Sequence, residues 1–266
     1  MSVKQKDFYE RRAYTLIKKE RPLPKGQRLE NWRIGYIKRI FEFLNIKRGD
    51  TFLDVGVGFT GYTVIEAARR RVRSVGVDIS LQAMKNARKN AKMTLDSTSD
   101  LTDFCVCSAT HLPFRDKVFS RVASIAVLEH VPNDKLAIHE TSRVTRIGGK
   151  IFISVPNTYH RILPIFILHQ IMGDKKAGHL RRYKAETLAS EFSKKGFLLL
   201  DVTYHSHLIK AIQYLLHILL PRVREKESRI WWKLEELDLK SRKDPTGTKF
   251  SIVMKKFPQR AQANLR

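Results

Sequence analysis

The chain has 266 residues, of which 42% are hydrophobic, and its 51 Lys and Arg against 26 Asp and Glu give a formal net charge of +25. This length suits one α/β domain with additions, and the apolar content excludes an intrinsically disordered chain. The excess positive charge favours contact with a polyanion, either nucleic acid or an anionic membrane surface, although a basic, self-repelling surface has the same composition.

The first residues, Met-Ser-Val-Lys-Gln-Lys-Asp, contain no apolar segment typical of a secretory signal, so the sequence predicts a cytoplasmic protein. The two cysteines, Cys105 and Cys107, are two residues apart in an apparent strand and are predicted to pack on the same face. No second pair accompanies them to complete a zinc site, and no metal is predicted.

Residues 1–45 are predicted to form a helical arm followed by a cover helix. Three chain breakers, Pro22, Pro24 and Gly26, separate the charged arm from the second segment. Within residues 28–45, large apolar side chains recur on one helical face, which is typical of a helix packed over the first strand of a sheet. These side chains are Trp32, Tyr36, Ile37, Ile40, Phe41 and Leu44.

Residues 46–256 alternate strand and helix patterns, which predicts an α/β, Rossmann-like fold with a mostly parallel seven-stranded sheet and helices on both faces. The predicted strands are 51–57, 72–77, 103–108, 120–127, 150–156, 197–204 and 248–256. The predicted helices are 61–71, 80–94, 134–145 and 185–195. Ser80 is expected to cap its helix, and Gly148–Gly149 to end the helix before the fifth strand. A basic tail, 257–266, follows.

Two insertions, 157–183 and 205–247, interrupt this alternation. The second contains an apolar segment, 207–220, that is predicted to be helical and is followed by basic residues and by Trp231 and Trp232. A wide apolar face with a basic edge and tryptophans is typical of a helix in a membrane interface, and a lid packed over an active site fits the same pattern. Neither insertion has the ~20 apolar residues that span a bilayer.

The segment 53–61 reads as a buried strand that runs into a glycine loop, with Asp78 at the end of the next strand. This pattern is typical of a site for a nucleoside cofactor in an open α/β sheet. Asp54 at the mouth of the loop would repel the pyrophosphate of a dinucleotide such as NAD, whereas it suits a ligand with an ammonium group. S-adenosylmethionine is such a ligand. The loop glycines are Gly56, Gly58 and Gly61.

Four segments in order and spacing make the chain resemble class I S-adenosylmethionine-dependent methyltransferases from about residue 45 to 204, with the last strand. The segments are Leu53-Asp-Val-Gly-Val-Gly58, Gly76-Val-Asp-Ile-Ser80, Ser108-Ala-Thr-His-Leu-Pro-Phe114, and Val127-Leu-Glu-His-Val-Pro132 with residues 143–150. The first insertion, with Ser-Val-Pro-Asn-Thr at its start and Gly-His-Leu-Arg-Arg-Tyr at its end, is loosely similar to the ubiquinone-biosynthesis O-methyltransferases. In that family the insertion implies contact with a membrane and a polyprenyl-tailed phenol.

The resemblance assigns the cofactor contacts. It implies that Asp54 and the loop glycines line the methionine part, that Asp78 accepts hydrogen bonds from the ribose, and that Ile79 packs on the adenine. Ser108 and Ala109 are expected at the adenine edge. The chain departs from the family pattern because its third loop glycine comes one residue late and because a serine replaces the usual aspartate at 108.

Methyl transfer from a sulfonium is an in-line displacement, in which the protein positions the nucleophile and excludes water. A general base is required where the nucleophile arrives protonated. The candidates are Glu129, His130, His160 and His179. Each also has a structural interpretation, since the first two could cap the following turn and the others could be surface residues.

The sequence therefore predicts an S-adenosylmethionine-dependent methyltransferase that acts on an oxygen or carbon of a lipid-like or small-molecule acceptor, peripheral on a cytoplasmic membrane face. An RNA methyltransferase is an alternative supported by the charge, but no RNA-binding signature is visible. An NAD-dependent oxidoreductase is a further alternative, which Asp54 at the mouth of the glycine loop disfavours. A non-catalytic S-adenosylmethionine-binding protein remains open because of Ser108 and the shifted glycine.

Overall fold

The computed structural model describes residues 3–19, 32–95, 98–161, 164–206 and 242–258. In this part of the chain, seven strands form one sheet in the order β3-β2-β1-β4-β5-β7-β6. The strands are β1 Thr51–Val55, β2 Arg73–Asp78, β3 Thr102–Val106, β4 Phe119–Ile125, β5 Thr145–Pro156, β6 Phe197–His205 and β7 Lys249–Lys256. All seven predicted strands are present, and the predicted seven-stranded sheet is confirmed.

The sheet is mostly parallel. Strands β1 to β5 pair in parallel, and β7 pairs antiparallel with both β5 and β6. Strands covered on both faces are mostly buried, as in β1, where Asp54 interrupts the buried apolar residues Phe52, Leu53 and Val55. The order of the strands reverses between β1 and β4, and ligands of open α/β sheets bind in the crevice at such a point.

Helices cover both faces of the sheet, as predicted. They are α1 Val3–Lys19, α2 Trp32–Leu44, α3 Tyr62–Arg69, α4 Leu81–Thr94, α5 Asp134–Val144, α6 Pro164–Ala177 and α7 Ala185–Ser193. Helices α2, α3 and α4 pack on one face with Phe52, while Leu53 faces the other core with α5 and α7. The rings of Phe41 on α2 and Phe52 lie 5.5 Å apart, so α2 covers β1 as its apolar face predicted.

The two helix ends that the sequence predicted have different outcomes. Ser80 caps α4, because its hydroxyl accepts the N–H of Ala83 at 3.0 Å. The prediction for Gly148–Gly149 is wrong, since α5 already ends at Val144 and β5 begins with the next residue. These glycines instead lie in an irregular part of β5, where Gly148 has φ 76° and a Cβ on Gly149 would lie 2.8 Å from a backbone oxygen.

The first insertion contains a 3-10 turn, Tyr159–Arg161, and helix α6, and its ends meet where Asn157 bridges to Tyr183. The predicted helix at 207–220 lies outside the described residues. Among the helices that are described, none combines the length and the apolar character needed to cross a membrane. The domain boundaries remain predictions.

Candidate active site

The glycine loop connects β1 to α3 at the crevice between β1 and β4. The N–H groups of Gly56 and Val57 donate to the carbonyl of Val77 on β2 at 2.7 and 3.0 Å, which fixes the loop beside that strand. Gly56 has φ 78°, and a Cβ there would lie 2.2 Å from Val127 Cγ2, so the loop and the segment after β4 are in close contact. Gly58, by contrast, has nothing within 4 Å of its Cβ position, so a ligand could approach the backbone there.

Gly61 has a different environment from the other two loop glycines. Its φ is 69°, and a Cβ would lie 3.0 Å from both Ala87 on α4 and Phe104 on β3. This glycine therefore permits close packing of the start of α3 against neighbouring elements. Its predicted contact with the cofactor remains a prediction.

Asp54 is buried at the carboxyl end of β1, with 2% of its surface exposed. One carboxylate oxygen accepts a hydrogen bond from the Thr63 hydroxyl, and the other, Oδ1, has no hydrogen-bond partner among the described residues. Burial raises the pKa of Asp54 to about 7, the Thr63 hydrogen bond opposes this rise, and the negative charge of Asp78 adds to it. An unsatisfied buried carboxylate oxygen of this kind is matched by a cationic donor such as an ammonium group.

Asp78 ends β2 and is held by the backbone around it. Its two carboxylate oxygens accept the N–H of Gly58 at 3.1 Å and the N–H of Ser80 at 3.0 Å. Burial raises the pKa of Asp78, against the effect of these hydrogen bonds. A carboxylate oxygen has capacity for more than one hydrogen bond, so Asp78 can still accept from ribose hydroxyls. Ile79, half-buried, follows it directly.

Ser108 and Ala109 follow β3 at the same edge of the sheet. The Ser108 hydroxyl lies 2.8 Å from the Thr110 hydroxyl and also accepts the Thr110 N–H at 3.2 Å. Ala109 packs, half-buried, against the core cluster on the α5 face. Because the serine hydroxyl already takes part in a local turn, its predicted contact with adenine remains a prediction.

Three of the four predicted catalytic residues lie together. Glu129 and His130 lie in a 3-10 turn after β4, and His179 follows α6 in the first insertion. The imidazole rings of the two histidines are 4.7 Å apart. His160 is not part of this group, since it is exposed and lies 3.4 Å from the Thr158 hydroxyl.

The carboxyl of Glu129 is enclosed, with 1% of the residue exposed, and its Oε2 has no hydrogen-bond partner among the described residues. Burial raises the pKa of Glu129 to about 7. Burial also lowers the pKa of His130 to about 4, although the Gly178 carbonyl opposes this by accepting from Nδ1 at 3.2 Å. At neutral pH the histidine is therefore uncharged and the glutamate lies near the midpoint of its titration.

His179 is oriented by a carboxylate that the sequence analysis missed. Its Nδ1 donates to Asp174 at 2.6 Å, and Asp174 also accepts from Arg182 at 2.6 and 2.8 Å and from the Tyr159 hydroxyl. Burial alone would raise the pKa of Asp174, but these hydrogen bonds together hold it below its usual value. Burial lowers the pKa of His179 against the opposing effect of Asp174. In the sequence, only the short separation of five residues could have indicated that Asp174 and His179 pair.

Helix α1 covers the site. The ring of Tyr9 meets His130 edge to face at 5.5 Å, and burial raises the pKa of Tyr9 to about 12. Glu10 accepts the N–H of Gln82 at the start of α4 at 3.1 Å, and Arg12 donates to the Ala177 carbonyl at the end of α6 at 2.9 Å. The sequence predicted this helix but not its position, because its apolar residues are few among many charged ones.

Residues 53–153 match the family described as Methyltransferase domain. A ubiquinone biosynthesis O-methyltransferase of Idiomarina loihiensis is 33% identical over 126 residues, 47% of this chain and 49% of that protein. Methyltransferase GfsG of Streptomyces halstedii is 30% identical over 118 residues, 44% of this chain and 41% of that protein. The chain therefore spans less than half the length of these two curated relatives.

Solved structures share the fold over nearly the whole chain. Phosphoethanolamine N-methyltransferase 2 of Haemonchus contortus, in complex with S-adenosyl-L-methionine, has a TM-score of 0.65 at 18% identity and covers 97% of this chain and 61% of its own. The [4+2]-cyclase SpnF has a TM-score of 0.65 at 19% identity and covers 97% of both chains. At these identities the likeness is one of fold.

Proposed function

We propose that the protein is a class I S-adenosylmethionine-dependent methyltransferase, as the match of residues 53–153 to the family described as Methyltransferase domain supports, and that it methylates an oxygen of a lipid-like acceptor bound beside Glu129, His130 and His179. The family match and the relatives confirm the resemblance to methyltransferases that the sequence predicted. The observations that support the proposal are the unpartnered Asp54 oxygen at the carboxyl end of β1 and the Glu-His-His group at the turn after β4.

The residues at the crevice fit the cofactor. The Asp54 Oδ1 would accept from its ammonium group, Asp78 would accept from its ribose, and the open backbone at Gly58 leaves room for it. When bound, S-adenosylmethionine supplies a methyl group on an electrophilic sulfonium. The chain itself has to orient the acceptor in line with that group and to exclude water.

The Glu-His-His group would receive the proton of the acceptor hydroxyl. An acceptor hydroxyl has to lose its proton during methylation, and groups that titrate near neutral pH are suited to receive it. The pKa of Glu129, about 7, is in this range. His179 is held in the tautomer with a proton on Nδ1, because that nitrogen donates to Asp174, so Nε2 can accept.

The proposals of a lipid-like acceptor and of a membrane surface are based on helix α6 and on the net positive charge of the chain. Leu168 and Met172 of α6 are 69% and 64% exposed, and Lys175 and Lys176 occupy its last turn. Apolar side chains beside lysines suit the interface of an anionic membrane, as does the net charge of +25. An oxygen acceptor is proposed because the group above suits deprotonation of a hydroxyl.

Cofactor binding is tested first, by thermal unfolding with S-adenosylmethionine, S-adenosylhomocysteine or NAD. A ligand that binds only the native state raises the melting temperature, because it increases the free energy of unfolding by about 2.7 kcal/mol at a hundredfold excess over its Kd. We expect the first two to stabilise the protein and NAD to have no effect. Stabilisation by NAD alone would refute the proposal. Transfer is then measured with radiolabelled cofactor and prenylated phenols, since SpnF shares the fold and its name is that of a cyclase.

The membrane surface is tested by co-sedimentation with neutral and anionic liposomes, with tRNA as a competitor. We expect binding to both liposomes, reduced in the double variant Leu168→Ser/Met172→Ser. The matched control is Leu198→Ser/Leu200→Ser, which removes similarly exposed leucines from β6. Binding that is absent on neutral lipid and abolished by tRNA would refute the membrane proposal and favour RNA as the acceptor.

A further inference from the structure

Two neighbouring side chains and a third one about 50 positions away, all able to ligate a metal, meet at the proposed acceptor position. Glu129, His130 and His179 each offer one ligand atom, and these three atoms all lie within 4.8 Å of one another. The first two come from the turn after β4, and the third comes from the insertion, held there by the Leu180 N–H that donates to the Glu129 carbonyl at 2.8 Å. Two imidazoles and a carboxylate are the ligand set of many catalytic zinc sites.

The hydrogen bonds of both imidazoles suit the binding of a metal. A ligating histidine usually donates its other ring N–H to a carboxylate or a backbone carbonyl, which fixes the tautomer. The Nδ1 of His130 donates to the Gly178 carbonyl at 3.2 Å, and the Nδ1 of His179 donates to Asp174 at 2.6 Å. In both rings the lone pair is then on Nε2, the nitrogen that would bind the ion.

The carboxylate of Glu129 is the third proposed ligand. Glu129 is 1% exposed, and its Oε2 lacks a hydrogen-bond partner in the described part of the chain. A buried, unsatisfied carboxylate oxygen is costly, and native proteins normally pair such a group or bind it to a metal. No described donor pairs this atom, whereas a cation at the centre of the group would.

Charges of both signs surround the group. Asp174 receives two hydrogen bonds from Arg182, so these two charges compensate each other. Arg12 and Lys249 are the other cations whose charges reach the group, and Glu129 supplies its negative charge. Coordination of a divalent ion also releases the proton of a carboxyl, so it is favoured as pH rises.

We propose that Glu129, His130 and His179 bind a divalent transition-metal ion of the zinc type, with a fourth position open at the crevice. Binding of the ion does not depend on the proposed function, whereas coordination of the acceptor hydroxyl at the open position does. With the ion bound, the hydroxyl would lose its proton to water instead of to Glu129 or His179, because a ligating lone pair cannot accept it. Ligand atoms around a tetrahedral zinc ion are separated by about 3.3 Å, given Zn–N bonds of about 2.0–2.1 Å. The three side chains therefore have to move together by at most about 1.5 Å. The sequence analysis predicted no metal because ligands 50 positions apart have no spacing motif.

The test uses the full chain from which a chelator has removed bound metal. This protein is titrated with Zn²⁺ in competition with a chromophoric chelator. We expect one tight site per chain and no comparable site for Mg²⁺. Glu129→Gln and His179→Asn should each weaken zinc binding at least about a hundredfold, and Asp174→Asn about 10–100-fold, because Asp174 holds a ligand in place. His139→Gln, an exposed histidine of α5, is the matched control and should bind zinc as the unaltered chain does.

Two further measurements keep the outcome clear. Co²⁺ should give the intense visible absorption of a four-coordinate ion, which requires no activity, and circular dichroism should show that each variant is folded. The metal site would be overturned if the Cys105→Ser/Cys107→Ser chain failed to bind zinc. It would also be overturned if a folded Glu129→Gln/His179→Asn chain still bound zinc. S-adenosylmethionine binding is measured in parallel: its failure with zinc binding intact would refute only the proposed function, and the reverse would refute only the metal site.

Discussion

The affinity for S-adenosylmethionine should depend on pH through Asp54. The carboxyl has a raised pKa of about 7 because it is buried, and the cofactor's ammonium group requires its ionised form. Below this pKa, each unit of pH should weaken binding about tenfold. Between pH 8 and pH 5.5 the Kd should rise about 30-fold, on the order of 2 kcal/mol. Isothermal titration calorimetry at half-unit intervals measures this directly.

The substitution Asp54→Asn separates this effect from other groups. The amide oxygen can still accept from Thr63, but it has no charge for an ammonium group, so binding should be weak at all pH values. Asp78, whose pKa is also raised by burial, would add a dependence of the same sign. Because Asp78 is present in both proteins, the difference between them in the pH dependence of cofactor affinity is due to Asp54.

The same substitution should have the opposite effect on stability. The folded pKa of Asp54 lies above its unfolded value of 3.8, so the folded state favours the protonated form, and stability falls as pH rises towards and through 7. The loss could reach about 4 kcal/mol above pH 7. At pH 8, Asp54→Asn should therefore unfold at higher denaturant concentration than the unaltered chain while binding the cofactor more weakly. A variant that is no more stable at pH 8, or unaltered-chain affinity that is flat from pH 5.5 to 8, would refute this reasoning.

Three further outcomes are expected at the crevice. Asp78→Ala should weaken S-adenosylmethionine binding at least tenfold by calorimetry with an unchanged circular dichroism spectrum, and unchanged affinity would remove the ribose assignment. Gly56→Ala should destabilise the chain in denaturant by more than the ~1–3 kcal/mol of a strained positive φ, since its Cβ would lie 2.2 Å from Val127, and Val127→Ala in the same chain should restore part of the loss. Tyr9→Ala should accelerate cofactor release up to about tenfold in stopped-flow measurements, because an aromatic pair contributes about 0.5–1.5 kcal/mol, whereas Tyr9→Phe keeps the ring on His130 and should not.

The sequence by itself determined the fold and the places of the glycine loop and Asp78 within it. Strands such as β1 read clearly because both faces of a parallel sheet are buried, so most of their residues are buried and apolar. The glycine loop and Asp78 are local signals as well, since each follows its strand directly and the carboxyl ends of parallel strands meet at one edge. The same local reasoning failed at Gly148–Gly149, where glycines adjoining a helix were needed instead for a bulge within β5.

Only the tertiary structure decided which candidate bases come together. Glu129 and His179 are 50 positions apart, and no periodicity links them; the packing of the insertion against the turn after β4 brings them into one group, while His160 remains exposed. The role of α1 as a cover and that of Asp174 as the partner of His179 depend on the same long-range contacts. The pKa of Asp54 is decided in this way too, because a carboxyl acquires a raised pKa from the burial that the whole fold imposes.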